Sequence, residues 1–367
     1  MRINFLILGL LCAFAYGCSE DGSTAGDGSD GGDDSGQTTT PDDDGSGESG
    51  GGTTTTPTYE DSLDKVHELQ AGETYDWDAY EVPAALSTLS GLEWVLSDQS
   101  DDFNYTSGTD SKSAEFDAKW YARYPQEGWT GPNPTVWRSQ NSYVDGGALH
   151  LFASREAGEP TVTFTYSGES YTMPITNSGC ISSQKAFTYP LYIETRAKVA
   201  KTTVASAVWM LSDDSAEEID IIEAYGGDRW ANAWFSPTRM HLSHHVFERT
   251  SAGITGDYQP SDEGSFYTDG STNYSDGYHR VGVFWRDAFH LEYYIDGKCV
   301  RVVDGADMID PYSYRGGLGL SQEEFLIFSQ GDQTWRAVTG LSPTTEEIAN
   351  TANNTFSIDW IRIYEAK

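Results

Sequence analysis

Between His279 and Val303 the chain reads HRVGVFWRDAFHLEYYIDGKCVRVV, a run that alternates apolar and other side chains along two strands in succession. Side chains of an extended strand point to opposite faces with a period of two. Val281, Val283 and Trp285 therefore share one face, and Leu291, Tyr293 and Ile295 share one face of the strand that returns. The first turn is expected at Arg286 to Ala288. The second falls at Asp296-Gly297, a strong hairpin signal, and Cys299 to Val303 reads as a third strand. A meander with one apolar face has to bury it against a second layer. The same texture of short alternating runs and Gly and Asn turns extends from about Tyr75 to Lys367, and all eleven Trp lie between Trp77 and Trp360. No sustained 3.6-residue periodicity interrupts it and no internal repeat is visible. The expected class is all-β, a single two-sheet sandwich.

The chain before this region differs in kind. Arg2 precedes an apolar core from Ile3 to Ala15, too short to span a bilayer, which ends in Ala15-Tyr16-Gly17-Cys18. Residues 1–18 read as a signal peptide whose last residues resemble a lipobox, with Cys18 lipidated; cleavage near Ala15 or Gly17 is the alternative. Residues 19–58 are almost wholly Ser, Gly, Asp and Thr and are expected to form a disordered tether, with 59–74 a short helix or more linker. The folded domain is placed at 75–367. Lys and Arg number 22 against 57 Asp and Glu, a formal charge of −35, which argues against nucleic acid and anionic lipid as partners. An exported protein with a neutral ligand fits this balance, either secreted or held at the outer membrane. Cys180 and Cys299 are left for the folded domain, as one disulfide or as two thiols. A monomer is expected.

The segment EEIDIIEAYGG, Glu217 to Gly227, places Glu218, Asp220 and Glu223 within six residues of an isoleucine-rich run. Acids are costly to bury without a task. Glu218 and Asp220 share a face of a strand, whereas Glu223, three residues on, would point the other way. One extra residue, a β-bulge around Ile221 and Ile222, returns Glu223 to the face of its partners. Crowded carboxylates cannot all ionise at equal cost, so one keeps a proton while another stays charged, the equipment of a retaining glycosidase. An exposed acidic strand is the plainer reading.

The motif EIDIIE resembles the active-site strand of glycoside hydrolase family 16. The blocks that follow in order, HLSHHVFER, DYQP, YHRVGVFWRD, HLEYYIDGK, DQTWR and FSIDWIRIY, are similar to its β-agarase branch, as are SDDFNYT and GWTGPNPTVWR upstream. The resemblance implies a concanavalin A-like jelly-roll β-sandwich with a concave substrate cleft, and hydrolysis with retention. Glu218 would be the nucleophile, Glu223 the general acid/base, and Asp220 the acid that tunes both. It makes Trp209 and Trp129 platforms for sugar rings, whose apolar faces suit aromatic ones. It also brings His245 to the cleft, with Arg249 on sugar hydroxyls. His241 shares a face with His245, as a structural or a functional residue. Relatives commonly carry an acid where this chain has Gln330, which is expected to take over a hydroxyl contact. Asp359 matches an aspartate through which relatives hold a structural calcium ion. No cofactor is required for catalysis. The implied partner is agarose or a related red-algal galactan, cut at β-1,4 linkages to neoagaro-oligosaccharides. Porphyran, carrageenan and β-1,3-glucan are neighbouring substrates, and a non-catalytic surface lectin is the reading from another class.

Overall fold

The computed structural model describes residues 82–367 other than Thr88, Glu127, Ala231, Asn232 and Ala252. The expected signal peptide with Cys18, the linker, the lead-in and the first residues of the domain lie outside the described residues. The alternating run folds as its pattern dictates: His279–Asp287, His290–Ile295 and Lys298–Asp304 pair antiparallel in series. The first turn is tighter than expected. Asp287 still pairs with His290, so only Ala288 and Phe289 connect the strands. Asp296 and Gly297 turn the chain back with φ of 46° and 75°, the left-handed pair that a two-residue hairpin requires.

This meander forms one end of an eight-stranded sheet, followed in space by Leu191–Lys198, Thr355–Ala366, Ala148–Phe152 and Ser142–Asp145, with Trp94–Leu96 as the eighth strand pairing beside them on Thr355–Ala366. A second eight-stranded sheet runs in the order Gly253–Tyr258, Met240–Thr250, Glu217–Ala224, Ala205–Ser212, Glu324–Gly331, Cys180–Phe187 and Trp120–Tyr121, with Phe266–Tyr267 as its eighth strand pairing on Met240–Thr250. The sheets pack face to face as a jelly roll. Val281, Val283, Trp285, Leu291 and Tyr293 of the first meet Val208, Met210, Ile219, Ile221, Leu242, Leu326 and Phe328 of the second in one fully buried core. Burial of a large aliphatic or aromatic side chain contributes about 1.5–3 kcal/mol, and this layer joins elements far apart in sequence. The faces of the second sheet thus separate sharply: one is core, the other carries polar side chains.

Two expectations are corrected here, and one open alternative is resolved. Gln330 lies on the same side of its strand as Leu326 and Phe328, is fully buried, and donates from Nε2 to the Asn354 carbonyl (3.0 Å). It faces the core and does not line the cleft. Asp359 lies on the other sheet, where Arg196 pairs with its carboxylate and stacks over the Tyr278 ring at 4.5 Å. A calcium ion held there would have to displace that guanidinium, so the residues present do not fit the ion. Cys180 and Cys299 are both free thiols, the first buried and the second exposed on the edge strand Lys298–Asp304.

Candidate active site

The register of the acidic strand shows how its three carboxylates come together. Glu218 lies opposite His245, Asp220 opposite Ser243 and Glu223 opposite His241, with the ladder shifted between Asp220 and Glu223. On its other side Val208 pairs with Ile222 and Trp209 with Asp220, so Ile221 is the residue passed over. The expected bulge is present at this step. Ile221 and Ile222 both remain in the core, and Glu223 turns back toward its partners. The neighbouring strand Met240–Thr250 divides its histidines by the same alternation. His241 and His245 face the carboxylates, whereas His244 points inward, donates from Nε2 to the Ile309 carbonyl (3.1 Å), and is kept neutral by burial, its pKa lowered to about 3.

Each acid has its own surroundings. Glu223 receives a hydrogen bond from the Tyr225 hydroxyl on Oε1, and its Oε2 lies 2.6 Å from His241 Nδ1. Burial works to raise its pKa, but these two donors and the imidazole outweigh it and hold Glu223 below the usual carboxylate range. Ser265 Oγ donates to the Ser261 carbonyl (3.0 Å), so its oxygen accepts from His241 Nε2 (3.0 Å). That arrangement assigns a hydrogen to Nε2 and leaves one proton between Nδ1 and Glu223. Glu218 Oε2 and Asp220 Oδ2 are buried without a hydrogen-bond partner among the described residues. Burial, then the charge of Asp220, raises Glu218 well above the usual value. Burial raises Asp220 to about 6 against the pull of His245. His245 is itself buried, which disfavours its charge, yet Asp257 at 2.8 Å from Nδ1, with Glu218 and Asp220, lifts it to about 10. With the cleft empty, the shared proton of this cluster resides with Glu218 and Asp220, and Glu223 is ionised.

Above the acids stands an aromatic wall. Trp209 lines the cleft beside Glu218, Asp220 and Glu223, its Nε1 donating to Ser329 Oγ (3.1 Å). Trp129 also lines it and meets Tyr124 and Trp137 edge-on, each at 4.7 Å. His245 joins the lining as expected. Arg249 does not join the cleft lining; half-buried, it donates from Nε to the Ser215 carbonyl (2.6 Å) and lies within electrostatic reach of Asp214. Sequence reasoning missed Trp137, Gln333 and Ser329, which complete the lining, and Tyr225, Asp257 and Ser265, which bond to the acids and histidines. Trp137, Asp257, Gln333 and Tyr225 all lay inside recognisable blocks, but nothing in their local pattern told which would turn toward the cleft. The assembly can hold a pyranose chain against aromatic faces and present it with carboxylates of unequal proton affinity.

Comparison with known proteins agrees with this geometry. The family profile described as "Beta-porphyranase A-D, GH16 domain" matches residues 94–366. A beta-agarase of Phocaeicola plebeius is 47% identical over 293 residues, covering 80% of this chain and 90% of that protein. The crystal structure of an inactivated mutant beta-agarase B in complex with agaro-octaose superposes with a TM-score of 0.70 at 40% identity, covering 80% of this chain and 99% of that one. A beta-porphyranase B of Phocaeicola plebeius is more distant, 26% identical over 307 residues that cover 75% of this chain and 85% of that protein. The acid-bearing bulged strand, the jelly roll around it and the match over most of the chain have one reading: this chain belongs to glycoside hydrolase family 16.

Proposed function

We propose that this chain is an endo-acting β-agarase that hydrolyses the β-1,4 bonds of agarose to neoagaro-oligosaccharides with retention of configuration. The observation that carries the reading is the placement of Glu218, Asp220 and Glu223 on one face of the cleft floor beneath Trp209 and Trp129. Support for agarose over a sulfated galactan is the greater identity to the agarase than to the porphyranase, together with a formal charge of −35 that repels polyanions.

In this reading Glu218 attacks the anomeric carbon while Glu223 protonates the departing oxygen; Glu223 then takes the proton from the water that releases the sugar. The reactive arrangement holds as many protons as the empty cleft, with one moved from Glu218 and Asp220 to Glu223. His241 supports that exchange by holding Glu223 Oε2 in a 2.6 Å contact with its Nδ1. Asp220 shares the proton that Glu218 must give up. Trp209, Trp129 and Trp137 seat the sugar rings. Carboxylates and water suffice for the chemistry. We further read residues 1–18 as an export signal with Cys18 as a lipid anchor, residues 19–58 as its tether, and the folded domain as a monomer.

A reducing-sugar assay on agarose, porphyran, κ-carrageenan and laminarin tests the substrate, with turnover expected on agarose; turnover on porphyran alone would replace that assignment. Glu218→Gln is expected to lower kcat about 10⁴-fold or more while agaro-oligosaccharide affinity, measured by calorimetry, stays near the parent value. Undiminished turnover in this variant would rule out Glu218 as nucleophile.

A further inference from the structure

Arg336 closes the short helix Thr334–Arg336 and is 1% exposed, yet Nε, Nη1 and Nη2 have no hydrogen-bond partner among the described residues. A buried guanidinium normally satisfies its fork of donors with carboxylates or carbonyls. This one instead lies over aromatic faces: its central carbon is 3.9 Å from the centroid of the Tyr225 ring, 5.5 Å from that of Trp335 and 5.7 Å from that of Phe235. Tyr225, 2% exposed, is the residue whose hydroxyl donates to Glu223 Oε1. Cation, ring, hydroxyl and carboxylate thus form one continuous chain of contacts.

We propose that Arg336 is a positioning residue for hydrolysis that acts through Tyr225, its charge polarising the phenol so that the hydroxyl bonds Glu223 more strongly and stabilises the carboxylate. A cation over a phenol ring withdraws electron density and makes the O–H a better donor, and with Arg336 and Tyr225 both buried the effect is little screened by bulk solvent. The inference rests on the reading of Glu223 as acid/base. An acid/base residue gives up its proton in one half-reaction and regains it in the next, so a group that favours the ionised form aids the first transfer. Other charged or titratable groups also act on Glu223. His241 contacts its second oxygen, His245 lies across the cleft floor, and Glu218 and Asp220 share its strand. Arg336 and Glu223 also attract each other directly, and Asp332 and Arg229 act on Arg336 from further elements, the first attracting it and the second repelling it.

The variant to make is Arg336→Met, which removes the charge and keeps an unbranched chain. Exchange of an ill-satisfied buried ion for an apolar side chain is usually neutral or stabilising, so folding is expected. The carboxyl ¹³C resonance of Glu223, assigned by its loss in Glu223→Gln, is followed against pH. Its midpoint is expected about one pH unit higher in Arg336→Met. Tyr225→Phe is expected to move it in the same direction, and the double variant by less than the sum, as coupling through one ring requires. If Arg336→Met does not fold, Arg336→Gln gives the same reading. An unchanged midpoint overturns the coupling and leaves the role of Glu223 standing. A raised midpoint with an unmoved pH profile of kcat/KM supports the coupling and removes Glu223 from the acid/base role.

Discussion

His245 lies between two anions, with Asp257 2.8 Å from Nδ1 and Asp220 3.7 Å from Nε2, and this placement keeps it cationic at neutral pH, with a pKa of about 10. Its positive charge opposes the rise in proton affinity that burial gives Glu218 and Asp220. Asp257→Asn is expected to return the His245 titration toward its ordinary value in an imidazole NMR titration. It should also lower kcat/KM roughly tenfold, most strongly above pH 7, where the imidazole would then be neutral. The sign also holds for stability. A histidine with a raised folded pKa contributes fully below its unfolded value of about 6.5 and loses that contribution as pH rises through about 10. At this scale the sequence was a partial guide. Spacing by two put His241 and His245 on one face and the resemblance brought His245 to the cleft, but Gln330 was misjudged because its face depends on which side of the strand meets the other sheet. Arg336 and Tyr225 were invisible, since a stack between residues more than a hundred positions apart leaves no local pattern.

The acidic strand is legible because a period of two has only one way to bring Glu223 back to its partners. The bulge follows from counting, and the ladder has it where the counting put it. Its consequence can be tested by removing residues. Deleting Ile221 restores plain alternation, with Glu218, Asp220 and Glu223 still on one face and the pairing of Glu223 with His241 kept. The cost is a gap in the core of about 2–5 kcal/mol and a displaced carboxylate. This variant is expected to fold with a lowered Tm and to retain hydrolysis reduced roughly 10²-fold. Deleting Ile221 and Ile222 together turns Glu223 into the core, and activity in the same reducing-sugar assay should fall to that of Glu223→Ala. Equal activity of the two deletions would mean that the bulge does not aim Glu223. The meander at His279–Asp304 was read by the same logic, except for its first turn, where two residues suffice.

Across the whole molecule, the two sheets bury a largely apolar layer that is interrupted by His244, Gln330 and, at the start of the strand Glu324–Gly331, by an acid. Glu324 is fully buried, neither of its carboxylate oxygens has a hydrogen-bond partner among the described residues, and burial raises its pKa well above the usual value. A neutral acid in the fold that ionises once unfolded destabilises the native state by up to about 1.4 kcal/mol for each pH unit above an unfolded pKa of about 4.3. Glu324→Met is therefore expected to raise Tm by several degrees near pH 8, with the gain shrinking as pH falls toward 4, in calorimetric scans across that range. The all-β class and the two-sheet sandwich were readable from alternation, and the jelly roll was implied by the resemblance; this buried acid was not legible, because Glu323-Glu324 at the start of a strand looks like any other solvated end. The exposed thiol of Cys299 offers a different use of the same architecture. It lies on an edge strand of the sheet that carries no carboxylate cluster, whereas Cys180 is sealed among Trp209 and Ile327. A thiol-reactive bead or dye coupled at Cys299 would attach to the sheet behind the cleft, so that an immobilised film of this protein would present its working face to an insoluble gel.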